Sequence, residues 1–260
     1  MVVNRLFTAA QHGDVKEIRA TLALNPEALE CHLHGKTALQ VAVEKNQVQA
    51  AHALLEAGAS PNTRSNDGNS SAFIAAVQAD NMLLMITLLH KGAEVNPQSP
   101  FARQPLQAAI ESESVKAIKF LAAHGAALKK FNDDGNAPLH AALAAKKLKA
   151  AEALIESGAD IDFRNRDGYT ALMQAAEENN FAAAKFLIEH EAALDPVSDL
   201  RETAHDIARA FPGKDGKFLR AFEQVLSERL RRETKEYLPE FRKGTSHEMK
   251  VKRPAKFRPK

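Results

Sequence analysis

At 260 residues with 45% hydrophobic side chains the chain can bury a core, which excludes an intrinsically disordered protein. Aromatic content is 6%, without Trp, while Ala is abundant, a balance that suits close-packed short helices and an all-α fold better than a sheet core. One cysteine, Cys31, excludes an intramolecular disulfide, no run approaches the roughly 18 apolar residues of a membrane span, and Met1-Val2-Val3-Asn4-Arg5 lacks a signal-peptide core, so a soluble, cytoplasmic protein is expected. The net charge of +2 is uneven: residues 201–260 hold 17 Lys+Arg against 9 Asp+Glu, a balance of +8 that leaves −6 for the first 200.

In chain order, residues 4–34 read as a degenerate opening unit, with polar Lys16, Glu17 and Arg19 where a capping unit meets water. Two ladders then run down the sequence. Leu54, Leu88, Leu121, Leu154 and Leu187 recur every 33 or 34 residues near the end of a helix. Gly58, Gly92, Gly125 and Gly158 follow, with Glu191 in the fifth position, and each is trailed by Ala59, Ala93, Ala126, Ala159 or Ala192. The second ladder is Thr37-Ala38-Leu39, Ser71-Ala72-Phe73, Gln104-Pro105-Leu106, Ala137-Pro138-Leu139, Thr170-Ala171-Leu172 and Thr203-Ala204-His205.

Each rung has a physical reading. Thr or Ser caps the open amides of a helix start, and Pro fits the first helical turn because it has no amide to lose. Gly supplies the left-handed backbone of a helix C-cap. Small Ala42, Ala76, Ala109, Ala142, Ala175 and Ala208 let neighbouring first helices approach closely. Asp67-Gly68, Asp134-Gly135 and Asp167-Gly168 read as tight turns. A helix pair of this kind cannot cover its own apolar faces, so repeats must stack.

On Ala137-Pro138-Leu139-His140-Ala141-Ala142, on Asp167-Gly168-Tyr169-Thr170-Ala171-Leu172, and on Leu154 through Asp162, the chain resembles the ankyrin repeat family over about residues 4–211. The resemblance implies a solenoid of stacked helix-turn-helix units with projecting turns: full repeats at about 35–67, 68–101, 102–134, 135–167 and 168–200, then a partial one to 211. Free-standing arrays of this family occur in eukaryotic cytosols and also among proteins that intracellular bacteria deliver into host cells, where they act as effectors. The turn Asn96 to Arg103 has lost the Asp-Gly pair, which predicts a non-standard shape.

Beyond the array, Phe218, Leu219, Phe222, Val225, Leu226 and Leu230 recur at helical spacing and predict a helix over 212–237 that caps the last repeat. Residues 238–260 read as a basic flexible tail, in which Arg242, Lys243, Lys250, Lys252, Arg253, Lys256, Arg258 and Lys260 face the single acid Glu248 after position 241. Such a tail can attract nucleic acid or an anionic membrane.

Little in the chain points to catalysis. No glycine loop follows a strand, and no strand is expected. Cys31-His32-Leu33-His34 lacks the second ligand pair that a closed zinc site needs. By the family resemblance His140 makes a structural bond to a neighbouring turn. No cofactor and no metal are expected, and the chain is read as a monomer and a non-enzymatic protein-protein interaction module: adaptor, inhibitor or effector. The alternative is a targeting protein whose tail holds nucleic acid or membrane while the array holds a second partner. By repeat position, the concave-face residues are Lys36, Lys45, Phe101, Arg103, Glu111, Phe131, Asn136, Arg164, Arg166, Tyr169, Glu177 and Glu178.

Overall fold

The computed structural model describes residues 2–98, 103–211 and 216–243, the last eleven of these as helical backbone. The opening unit is α1 (Val2–His12) and α2 (Val15–Leu24), followed by a short hairpin of β1 (His32–Leu33) and β2 (Lys36–Thr37). The repeats supply α3 (Ala38–Glu44), α4 (Val48–Glu56), α5 (Ala72–Gln78), α6 (Met82–His90), α7 (Pro105–Glu111), α8 (Val115–Ala123), α9 (Pro138–Ala144), α10 (Leu148–Glu156), α11 (Ala171–Glu177) and α12 (Phe181–Glu189). The partial repeat is α13 (Ala204–Ala210), and α14 (Lys217–Lys243) follows. The described residues form two compact units. One runs to Lys130 and includes Lys149–Ala159, and the other holds Phe131–Leu148 and the chain from Asp160 onward.

The helix starts obey the expected chemistry. Thr37, Ser71, Thr170 and Thr203 each accept a hydrogen bond from the third backbone amide beyond, whereas Gln104 and Ala137 make no side-chain cap and are followed by Pro. Ala42, Ala76, Ala109, Ala142, Ala175 and Ala208 are all fully buried. In the first unit α3 packs on α5 and α5 on α7, and in the second α9 packs on α11 and α11 on α13.

The helix ends explain the Leu-Gly-Ala ladder. The Ala amide donates to the Leu carbonyl five residues back in every case: Ala59 to Leu54 at 3.0 Å, Ala93 to Leu88 at 3.0 Å, Ala126 to Leu121 at 2.9 Å, Ala159 to Leu154 at 2.9 Å and Ala192 to Leu187 at 2.9 Å. That closure needs a left-handed residue between them. Gly58, Gly92, Gly125 and Gly158 supply it, and Glu191 is forced into it at φ 65°.

A second set of bonds ties repeat to repeat. Asn62 donates to the Gly92 carbonyl at 2.8 Å and accepts from Glu94 N at 2.9 Å; Asn96 does the same with Gly125 at 2.7 Å and Ala127 at 2.9 Å. Asp162 accepts from Ala193 N at 2.8 Å. These residues therefore satisfy the backbone that follows the next repeat's second helix.

Three sequence expectations need correction. The helical solenoid is as expected, but the reading that no strand occurs misses β1 and β2, which pair antiparallel because His34 and Gly35 both adopt positive φ, as the tight two-residue turn of a hairpin requires. The array's first helix begins at Val2, two residues before the expected edge. The last helix begins at Lys217 and continues to Lys243, past the expected end at 237. α14 packs on α12 and α13, with Phe218 and Phe222 buried. Further along, Leu230 is 41% exposed, since beyond Arg229, which donates to the Ala192 carbonyl, α14 outruns the face it covers.

Two outcomes follow from the helix ends and the repeat-to-repeat bonds. Glu191→Gly relieves a left-handed side chain and is expected to raise the unfolding free energy by about 1 kcal/mol, read from the urea midpoint. Asn96→Ala deletes both of its backbone bonds and is expected to lower it by about 1 to 2 kcal/mol, with little change for Asp133→Ala at an exposed tip.

Candidate binding site

In the second unit three successive turn tips stand side by side. In the first, Gly135 N donates to the Asn132 carbonyl at 3.0 Å and Asn132 Oδ1 accepts from Asn136 N at 2.8 Å. The next repeats this with Asn165, whose Oδ1 accepts from Asp167 N at 3.0 Å and Tyr169 N at 2.9 Å. The third substitutes Ser198, with Arg201 N donating to its carbonyl at 2.9 Å. Adjacent tips are joined by Arg166 N to the Gly135 carbonyl at 2.9 Å and by Asn165 Nδ2 to Asn136 Oδ1 at 3.2 Å. Gly168 sits at φ +80°, a backbone conformation that favours glycine, and a Cβ there would lie 2.8 Å from the Asp199 carboxylate, which would have to swing aside.

His140 fastens α9 to this scaffold. It is 1% exposed and its Nε2 donates to the Tyr169 carbonyl at 3.0 Å, while Nδ1 is buried without a partner. The bonded tautomer is thus the neutral one with its proton on Nε2. Burial pushes the imidazolium down from its ordinary range, outweighing the opposite pull of the Tyr169 carbonyl. In the first unit Gln40, at the equivalent position, donates to the carbonyls of Ser70 at 3.1 Å and Thr63 at 3.2 Å.

Beside the tips and α11 lies a concavity of about 380 Å³, lined by Asp134, Asn136, Asn165, Asp167, Tyr169, Gln174, Glu177, Glu178, Asp199 and Leu200. Five of these ten are carboxylates and none is Lys or Arg. Arg164 stands just outside, donating to the Gly168 carbonyl at 3.1 Å with its guanidinium 3.9 Å from Asp199. The Tyr169 phenol registers the field: partial burial, and then the charges of Glu177, Glu202 and Asp167, push its pKa up. Leu200 is 76% exposed at the rim. Gln174 gives its Nε2 to Glu178 Oε1 at 2.8 Å, and its Oε1 is buried without a donor.

The first unit shows what this concavity lacks. There the tip residue Lys36 pairs with Glu44 at 2.7 Å, and Arg103 pairs with Glu111, in both cases eight residues apart. The same two positions in the second unit hold Tyr169 and Glu177, and a phenol does not neutralise a carboxylate. Among the described residues no Lys or Arg pairs with Glu177.

The structure thus brings together Asn136, Tyr169, Glu177 and Glu178 of the residues nominated from sequence. Phe131, 38% exposed, stacks on Phe163 at 5.9 Å with the Arg166 guanidinium 5.8 Å above it, so it packs against its neighbouring turn and still reaches solvent. Lys45 is exposed in the first unit. Phe101, the tail residues Lys250, Lys252, Arg253, Lys256, Arg258 and Lys260, and the side chains of Arg242 and Lys243 lie outside the described residues, as does the middle of the turn Asn96 to Arg103. Asp134, Asp167, Gln174, Asp199 and Leu200 were not nominated, although the Asp-Gly pairs and an apolar residue at a turn tip were visible signals. Around Cys31, the thiol donates to the Glu27 carbonyl at 3.4 Å and His32 Nε2 bonds the Arg64 carbonyl at 2.8 Å. No group of three metal-ligating side chains occurs among the described residues, and no described helix is long and apolar enough to cross a membrane.

Short paired helices, capped turns and bonded tips define a helical repeat protein. Family models of ankyrin repeats match residues 72–165 and 143–211, and a single ankyrin repeat matches 34–66. The chain belongs to the ankyrin repeat family, a general protein-protein interaction module that is typically non-enzymatic. It is 31% identical over 115 residues to the putative ankyrin repeat protein YahD of Escherichia coli, covering 44% of this chain and 57% of that one. It is 30% identical over 88 residues to the human transient receptor potential cation channel subfamily A member 1, covering 34% of this chain and 8% of the channel. The chain thus spans little more than half of the first relative and a small part of the second. Among solved structures, the human ASB11 ankyrin repeat domain superposes with a TM-score of 0.67 at 21% identity, covering 85% of this chain and 96% of that one. The ankyrin repeat domain of Bcl-3, of the IkappaB protein family, gives 0.71 at 19%, covering 84% and 97%. At these identities the likeness establishes the fold.

A pH dependence follows from His140. Above about pH 6.5 the imidazole is neutral in both folded and unfolded chains and its contribution is intact. As pH falls below that value the unfolded chain takes up a proton that the folded chain resists, so stability is lost until the depressed folded pKa is passed. Urea titrations at about pH 7.5 and about pH 5 are expected to show a larger fall for the wild type than for His140→Gln, a replacement patterned on Gln40.

Proposed function

We propose that the chain is a non-enzymatic binding module, an adaptor, inhibitor or effector acting as a monomer in the cytoplasm, that takes a protein partner on the tip and first-helix face of its second unit. The observation that carries this reading is the uncompensated concavity around Tyr169 and Glu177, where the first unit's tip-to-helix ion pairs are replaced by an aromatic and an open carboxylate. Tyr169 and the neighbouring Phe131 with Arg166 are side chains of the kind that anchor interfaces, because they bury much area at a modest loss of rotamer freedom. The backbones of Tyr169 and Arg166 are already fixed by the bonded tips, so little ordering entropy remains to be lost there on binding. Asp134, Asp167, Glu177, Glu178 and Asp199 give the face a negative sign and favour a partner segment bearing Lys or Arg. The single thiol, Cys31, is free, which suits a reducing compartment.

The test compares affinity capture by the full chain and by two variants, Arg166→Glu with Tyr169→Ala, and Glu177→Lys with Glu178→Lys. Proteins retained by the wild type are expected to fall at least about tenfold with either variant, as for loss of an interface anchor. Circular dichroism and thermal melting should stay unchanged, because these side chains are exposed or half-buried and hold no backbone bond. An identical captured set for all three proteins would sink the assignment of this face.

A further inference from the structure

Of the five carboxylates in the concavity Asp199 alone has a cation within 4 Å among the described residues, Arg164, while the C-terminal segment of the same chain carries a surplus of positive charge. Residues 244–260 contain Lys250, Lys252, Arg253, Lys256, Arg258 and Lys260 with one acid, Glu248. From this complementarity, and resting on the binding-face reading above, we infer that the basic C-terminal segment of this chain docks in its own acidic concavity, so that an incoming partner must displace it.

Three features of the site fit this occupant. Glu177 stands where Glu44 and Glu111 each receive a cation from a tip residue of their own repeat, so the position is built for a carboxylate-ammonium or carboxylate-guanidinium pair and lacks its cation. Asp134, Asp167, Glu178 and Asp199 line the same hollow, so further carboxylates lie within reach of the segment's other cations. Tyr169 and the exposed Leu200 offer apolar surface to the stems of Lys and Arg and to Phe257, which lies between Lys256 and Arg258.

The connection is long enough. α14 packs on α12 and α13, and α13 packs on α11, which bears Gln174 and Glu177. Two helix spacings of about 8 to 10 Å, together with about 21 Å of helix between Arg229 and Lys243, separate the end of α14 from the concavity. The 17 residues after Lys243 span up to about 55 to 60 Å. Tethering also raises the local concentration of the segment into the millimolar range, so weak ion pairs suffice to hold it.

Zero-length carbodiimide coupling of carboxylates to lysines, applied to the dilute full-length chain and mapped by mass spectrometry, tests this directly. Lys119 and Glu156, 2.8 Å apart, report that the coupling works. Intramolecular links from Lys250, Lys252, Lys256 or Lys260 to Glu177, Glu178, Asp167, Asp134 or Asp199 are expected. They should fall several-fold between about 0.1 M and about 1 M salt, as the screening length shrinks from about 10 Å to about 3 Å. Tyr169→Arg, which restores the pairing of the first unit, should reduce the links to Glu177 several-fold while leaving Lys119 to Glu156 unchanged. Tail links that are absent, spread evenly over acids such as Glu27 and Glu94, or confined to covalent dimers would overturn self-docking. If self-docking fails while Glu177→Lys with Glu178→Lys still strips partners, the binding face stands without its internal occupant. If the links map to the concavity but both variants capture the same partners, the partner face lies elsewhere.

Discussion

The repeat helices of seven and nine residues are below the length at which an isolated helix holds together in water, so each of them depends on burying one face against its neighbours. The buried alanines from Ala42 to Ala208 make that approach close, and the cost of ending so many helices is met by closing each end on itself. At the second helices the Leu carbonyl receives the Ala amide; at the first helices the alanine carbonyls do similar work, with Ala42 accepting from Gln47 at 2.8 Å and Ala175 from Asn180 at 2.8 Å. Both closures demand a left-handed residue. The chain uses Gly at one and tolerates Asn46, Asp80, Glu113, Lys146 and Asn179 at the other. The ladders therefore record where backbone geometry, more than side-chain chemistry, leaves no choice.

That distinction decides what could be read in advance. Thr37, Ser71, Thr170 and Thr203 cap helices through local bonds, and Pro105 and Pro138 stand where the cap is missing, so their roles were legible from neighbours a few residues away. Asn62, Asn96 and Asp162 act across about one repeat length, on backbone groups whose place is known only once the repeats are stacked. Glu30 stands at the same repeat position and bonds Ser60 N and Thr63 Oγ1 at 2.7 Å each, so side-chain chemistry varies along this ladder and hides it from inspection. Gln40 and His140 share one role with different side chains for the same reason. The extent of α14 was misread because its apolar stripe stops at Leu230 while its backbone runs on among charged residues to Lys243.

The candidate site was legible residue by residue and not as a site. Repeat position nominated Tyr169, Glu177 and Glu178 along with Lys36, Arg103 and Glu111, and nothing in the local sequence separates the two groups. Distance does. Lys36 and Arg103 spend their charge on Glu44 and Glu111, and exposed pairs of that kind contribute little to stability while removing both partners from the chemistry open to a ligand.

The tip-to-helix pairing offers a physical account of how one repeat among several comes to differ in surface charge, and it underlies the proposal that this repeat carries recognition. A cation at the tip and an acid at the end of the first helix neutralise each other and leave a bland surface. Replacing the cation by Tyr169 leaves the acid exposed and supplies an aromatic beside it, while the Asn165 bonds that hold the tip backbone are untouched. Gly168 then admits Asp199 from the following tip, adding a further carboxylate to the same hollow. Because the scaffold is held by main-chain bonds, by the Asn132 and Asn165 side chains and by buried residues such as His140, the exposed tip side chains such as Arg166 and Tyr169 can change in sign and size without loss of fold. The concavity is accordingly a local failure of charge compensation on tips whose backbone is tied down by the Asn132, Asn165 and Ser198 bonds, and under the proposed function its selectivity follows from which cation restores the balance.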